Sequence, residues 1–203
     1  MEKQTTRLEA FSDGIFGVAI TLLAIEIGIG EYEGANNANL WHKITEKWPE
    51  YFSYFNSFAT VLLIWMGHQK IIKKIHKTNH RVLLVNGLVL LLVVLFPFPT
   101  RTVGNFIGTD AVNTAVSFYA GFTGLIVLSM LLLNLSIIRS PHLLIDEAKH
   151  LPWFKNQTRQ QLIAVAVYAG AAGMAFYSPS VALGMTFMMW VFWAVITQEE
   201  DEA

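Results

Sequence analysis

Hydrophobic residues in this chain gather into long runs separated by short polar segments, a pattern unlike the alternation of a soluble fold. The first run, residues 10–29, reads AFSDGIFGVAITLLAIEIGI. At a rise of about 1.5 Å each, about 20 residues reach across about 30 Å of hydrocarbon, so this run predicts a membrane-spanning helix. Similar runs predict spans over residues 51–72, 82–103 and 112–138. The last apolar stretch, 162–196, is too long for one helix and is interrupted by Tyr177-Ser178-Pro179-Ser180. Pro179 lacks a backbone donor and restricts the residue before it, which splits the stretch into spans at 160–177 and 181–197 joined by a tight turn. The pattern predicts an all-α integral membrane protein, a single domain over residues 1–203 with six transmembrane helices. Between the first two spans, residues 30–50 are polar but hold Trp41 and Trp48, which suit a membrane interface; they read as a loop, helical in part.

Composition strengthens this picture. Of 203 residues 54% are hydrophobic and 14% charged, with a mean hydropathy of +0.45; a soluble domain carries about 25% charged residues. The net charge of -1 gives no general attraction to nucleic acid, and the absence of cysteine excludes disulfides and thiolate metal sites. Lys3 and Arg7 ahead of an apolar run resemble a secretory signal, but the run is too long, contains Asp13 and lacks a small-residue cleavage site, so a retained helix is expected. Charge also sets orientation. With the N-terminus inside, the inner flanks hold Lys3 and Arg7, then Lys70, Lys73, Lys74, Lys77 and Arg81, then Arg139, Lys149, Lys155 and Arg159. Only Lys43, Lys47 and Arg101 of the 14 basic residues fall outside, which predicts cytoplasmic N- and C-termini, with the acidic tail 199–202 on the same side.

Several motifs have plain explanations. The run Lys70-Ile71-Ile72-Lys73-Lys74-Ile75-His76-Lys77 is read as a positive-inside flank in preference to a lipid-headgroup site. Thr102-Val103-Gly104-Asn105-Phe106 resembles the TVGYG filter, yet it ends a span and does not form a re-entrant loop between two, so no such pore loop is expected. His68 is read as a packing histidine ahead of a proton sensor, and Gly170 and Gly173 with their neighbouring alanines as a close helix crossing. Residues 141–154 are read as a segment along the inner membrane surface or a loop. No HExxH, phosphate loop or nucleotide-binding glycine pattern is present. Asp13 and Glu26 are about 20 Å apart along one helix at 1.5 Å per residue, too far for an acid–base pair, so no enzyme and no bound cofactor is expected. Both carboxylates nevertheless lie where lipid tolerates neither, which makes the first helix the functional candidate.

That helix also carries a resemblance. Arg7, followed after three residues by Phe11-Ser12-Asp13, resembles the R-x-x-x-F-S-D motif opening the first helix of the transmembrane protein 175 family, potassium channels of animal endosomes and lysosomes and their prokaryotic relatives. Trp65 and His68, and Asn86 with Leu95-Phe96-Pro97-Phe98-Pro99-Thr100, resemble further features of the prokaryotic members. The likeness implies a single-repeat chain in a prokaryotic plasma membrane, assembled as a homotetramer with four first helices around one axis and with potassium ions as the permeant partner.

Carried over by counting from the motif aspartate, the family's pore-facing positions fall on Val18, Thr21 and Ile25, with Leu22 beside them. At about 100° per residue, Val18, Leu22, Ile25 and Ile29 lie within about 40° of one line and Thr21 about 60° to one side of Val18. Periodicity alone does not select this face, because the helix is apolar nearly all round. The family usually places a bulkier Ile or Leu where Val18 stands, so the narrowest ring can fall at Val18, Leu22 or Ile25. Such rings form a hydrophobic constriction, and four Thr21 hydroxyls add oxygen acceptors that favour potassium, which sheds water more cheaply than sodium. Asp13, about 140° from Val18, is expected to face neighbouring helices and to support the pore helix through Arg7 or His68. Glu26 either attracts cations at the outer mouth or packs against a polar neighbour. Two other classes remain: a proton-coupled secondary transporter using Asp13 and Glu26, and a non-conducting membrane scaffold.

Overall fold

The computed structural model describes residues 5–25, 27 and 36–199. Glu26, Ile29 and the tail beyond residue 199 lie outside the described residues. Among the described residues eight α-helices carry the fold: α1 (Thr6–Ile25), α2 (Asn37–Glu46), α3 (Trp48–Lys73), α4 (His80–Leu95), α5 (Pro97–Phe106), α6 (Val112–Ile138), α7 (Glu147–Met174) and α8 (Pro179–Glu199). A 3-10 turn, Pro141–Leu143, precedes α7, and no strand longer than an isolated bridge occurs among the described residues. Thr6–Ile25, His80–Phe106 and Val112–Ile138 are each long and apolar enough to cross a membrane, and Pro179–Val195 is a shorter apolar helix. The chain is an integral membrane protein.

The third apolar run is not one continuous helix. α4 stops at Leu95 because Pro97 cannot donate; Pro97 and Pro99 then fall in the first turn of α5, where backbone donors have no intrahelical partner anyway. Thr102 to Phe106 form the end of α5, with Val103 and Gly104 buried. A Cβ on Gly104 would approach the Glu50 Cα at 3.2 Å, so this glycine lets α5 lie against α3. α7 begins well ahead of the apolar run, at Glu147, because the Asp146 side chain accepts from the Lys149 N–H and caps it. The helix also carries Pro152 in its interior.

α6 is the centre of the fold, touching α4, α5, α7 and α8. Its approach to α7 depends on Gly124, where a Cβ would stand 3.1 Å from the Tyr168 Cβ, while Gly121 faces Ala172. The α3–α4 and α6–α7 loops are tied together. His76 N–H donates to Leu143 O at 3.0 Å, Ile145 N–H to Lys74 O at 3.0 Å, and Asn79 Nδ2 to Ser140 Oγ at 3.2 Å. The Lys74 ammonium sits 4.4 Å from the Trp153 ring centroid, a cation–π contact across the same junction.

Candidate ion pathway along the first helix

α1 has two unlike sides. Ser12, Phe16, Ala19 and Leu23 recur every three or four residues and are buried, facing α3, α4 and α5. The opposite side is exposed at Ala10, Phe11, Gly14, Gly17, Val18, Thr21, Ala24 and Ile25.

A polar network fastens the buried side near the N-terminal end. Trp65 Nε1 donates to Asp13 Oδ1 at 2.9 Å and Gln69 Nε2 donates to the same oxygen at 3.0 Å. His68 Nε2 lies 2.6 Å from Asn86 Oδ1, Asn86 Nδ2 donates to Ser12 Oγ at 3.3 Å, and the His68 ring packs against Phe16 with centroids 5.3 Å apart. The hydrogen-bond partners of Asp13 are therefore not the expected ones, although His68 stays near enough to interact with its charge. Arg7 is exposed and His68 bonds Asn86, while α3 supplies Trp65 and Gln69. Gln69 was legible in principle, since it stands one turn after Trp65 on the same face of α3. Towards the other end, Leu23 and Ile27 face Tyr54, Thr100 and Gly104 around a small cavity of about 10 Å³. Thr100 Oγ1 donates there to Ser57 Oγ at 2.8 Å, and Asn56 Nδ2 to the Tyr119 hydroxyl at 2.9 Å. These bonds join α3, α5 and α6 behind the pore-helix candidate.

The exposed side is chemically spare. Val18 and Ile25 are 54% and 73% exposed, and a Cβ at Gly14 or Gly17 would meet nothing within 4 Å. At about 100° per residue, Gly14, Val18, Thr21 and Ile25 cluster about the middle of this face and Leu22 falls towards its edge; Leu22 is half-buried. From Phe11 to Ile25 the exposed positions carry one side-chain oxygen, that of Thr21. Its hydroxyl donates to Val18 O at 2.8 Å, so the proton is committed to the helix and the oxygen retains acceptor capacity. Among the described residues no group of three or more His, Cys, Asp or Glu forms a metal cluster.

The chain is thus an all-helical membrane protein whose N-terminal helix is anchored by one face and bare on the other. The chain belongs to the TMEM175 family: the family model described as "Endosomal/lysosomal potassium channel TMEM175" matches residues 7–97. A potassium channel of Chamaesiphon minutus is 30% identical over 96% of this chain and 95% of its own length. Another, of Streptomyces collinus, is 28% identical over 89% of this chain and 86% of its own. The Bos taurus protein named as the endosomal/lysosomal proton channel TMEM175 is 33% identical over 43% of this chain, which is 19% of its length. The crystal structure of the lysosomal potassium-selective channel TMEM175 homologue from Chamaesiphon minutus superposes with a TM-score of 0.85 at 29% identity, covering 96% of this chain and 98% of that one. The family indicated by Arg7 and Phe11-Ser12-Asp13 is thus shown, and it is an ion-channel family, not an enzyme class.

Proposed function

We propose that this protein is a potassium-selective channel in which four copies place the exposed faces of α1 around one axis. The observation that carries it is the contrast across α1: the side-chain bonds to other helices come from Ser12 and Asp13, while beyond Phe11 the bare side presents glycines, Ala24, aliphatic side chains and one hydroxyl layer at Thr21. Lipid would reward larger apolar groups there, as contacts with acyl chains scale with side-chain surface. The relatives named potassium channels support the ion.

In this arrangement Val18 and Ile25 form aliphatic rings, Leu22 borders them, and Thr21 supplies oxygen between. The rings exclude water when narrow and pass a partly dehydrated ion when slightly wider. Asp13, held by two donors from α3, fixes the helix and stays out of the pathway. The six spans are α1, α3, α4 with α5, α6, α7 and α8, in one domain without a re-entrant pore loop. Both termini lie in the cytoplasm of a prokaryotic cell, and the channel needs no bound cofactor beyond the permeant ion.

Planar-bilayer recording of the purified protein under a potassium/sodium gradient tests this. Channel-like currents reversing near the potassium potential, altered by Leu22→Ala and Ile25→Ala, are expected. Saturating low-turnover flux coupled to protons would instead identify a carrier, and no flux at all a scaffold.

A further inference from the structure

A second feature lies away from α1. α3, α6, α7 and α8 enclose a cleft of about 50 Å³ within one chain. Its floor is buried, with Thr60, Thr123, Gln157, Gln161 and Tyr168 set among apolar side chains such as Met130. Its rim is half-buried and apolar, formed by Leu63 and Ile64 on one side and Trp190 and Trp193 on the other. No charged side chain lines it.

Glutamines at adjacent turns of a membrane helix are costly unless satisfied. Gln161 accepts from Asn134 Nδ2 at 2.7 Å, but the Asn134 Oδ1 and the Trp190 Nε1–H are buried without a partner. An indole N–H can only donate, so an acceptor is missing beside the cleft. The enclosed volume exceeds the about 10–15 Å³ needed for one water and is well below the about 150 Å³ that encloses a benzene ring. The occupant is therefore narrow. With α3 and α8 read as membrane spans, its apolar rim opens towards acyl chains, and the uncharged lining selects a neutral group.

We propose that this cleft binds one neutral, linear amphiphile. A hydroxyl or carbonyl head sits against the polar side chains of the floor and accepts from Trp190, and the alkyl tail leaves between the two tryptophans and α3. The site rests on the membrane placement of these helices and is independent of ion conduction.

The test uses the full chain in phosphatidylcholine vesicles, photolabelled with octanol bearing a diazirine and mapped by peptide mass spectrometry. Saturable labelling of segments 63–67 and 190–193, displaced by unlabelled octanol, is expected. Trp190→Phe keeps an aromatic ring and removes the donor; it raises the half-saturating concentration about fivefold, the factor for one neutral hydrogen bond. Gly67→Leu fills the cleft and abolishes saturable labelling; a Cβ there would meet only Met130 Cε, at 3.9 Å. Labelling that rises in proportion to dose, or falls equally on the outward leucines Leu125, Leu128 and Leu132 of α6, overturns the proposal. So does an unchanged half-saturation in Trp190→Phe, which decides alone if Gly67→Leu does not yield folded protein. None of these outcomes bears on the currents expected of the channel.

Discussion

α1 and α6 are both apolar enough to span a bilayer, with hydropathies of 1.7 and 2.1, yet 22% of the first and 56% of the second is buried inside the subunit. Their exposed positions also differ in kind. α6 turns Phe118, Leu125, Leu128 and Leu132 outwards, large groups that suit acyl chains. α1 turns out Phe11 near its start, and beyond it Gly14, Gly17 and Thr21 among its aliphatic residues. Hydropathy alone therefore does not distinguish a helix packed within the chain from one that leaves most of its surface uncovered. What separates them is the size and chemistry of the side left bare.

Substitutions on the two sides of α1 can break or sharpen this contrast. The largest effect is expected at Phe16, fully buried against His68. Phe16→Ala should destabilise the subunit towards the low end of the about 3–5 kcal/mol typical of a core phenylalanine, since lipid also solvates the ring once released. Thermal unfolding in detergent measures it, and an unchanged midpoint would mean that this side of α1 is not the anchored one. Asp13→Ala strands the Trp65 and Gln69 donors; a loss of about 1–3 kcal/mol, with reduced assembly, is expected from the same measurement. Normal assembly and conduction in that variant would remove Asp13 from its supporting role.

Gly124→Ala probes the α6 side of the comparison. The added Cβ would stand 3.1 Å from Tyr168 and should cost about 1–3 kcal/mol through overpacking. Gly17→Ala on α1 makes the opposite case: it meets no neighbour within the subunit, and helix propensity favours it by up to about 1 kcal/mol. Its effect should appear in single-channel conductance, with subunit stability unimpaired. The smallest change in protein architecture is expected from Thr21→Val, which keeps shape and removes the oxygen. Reversal potentials under bi-ionic conditions should show lower potassium-over-sodium selectivity, and unchanged potentials would exclude the hydroxyl layer.

Much of this was legible in the chain itself. The membrane class follows from long apolar runs with few charges, because the bilayer thickness fixes how many residues must be apolar. The family follows from Arg7 and Phe11-Ser12-Asp13, a local pattern that needs no fold to be recognised. The break at Pro179 follows from backbone chemistry, whereas reading 82–103 as a single span passes over the one at Pro97, although the same rule applies there.

Tertiary structure decided what depends on partners distant in sequence. Asp13 is bonded to residues 52 and 56 positions away, which no local spacing on α1 could specify. The buried side of α1 is unreadable from a helix apolar nearly all round; only the packing of α3, α4 and α5 selects Phe16 and Leu23 for burial and leaves Thr21 bare. Likewise Gln157, Gln161 and Trp190 become one cleft only when α7 and α8 close on α3. A sequence records which side chains a membrane will accept, because that depends on composition along a single helix. Which of them meet is a property of how helices cross, and several crossings satisfy the same hydropathy.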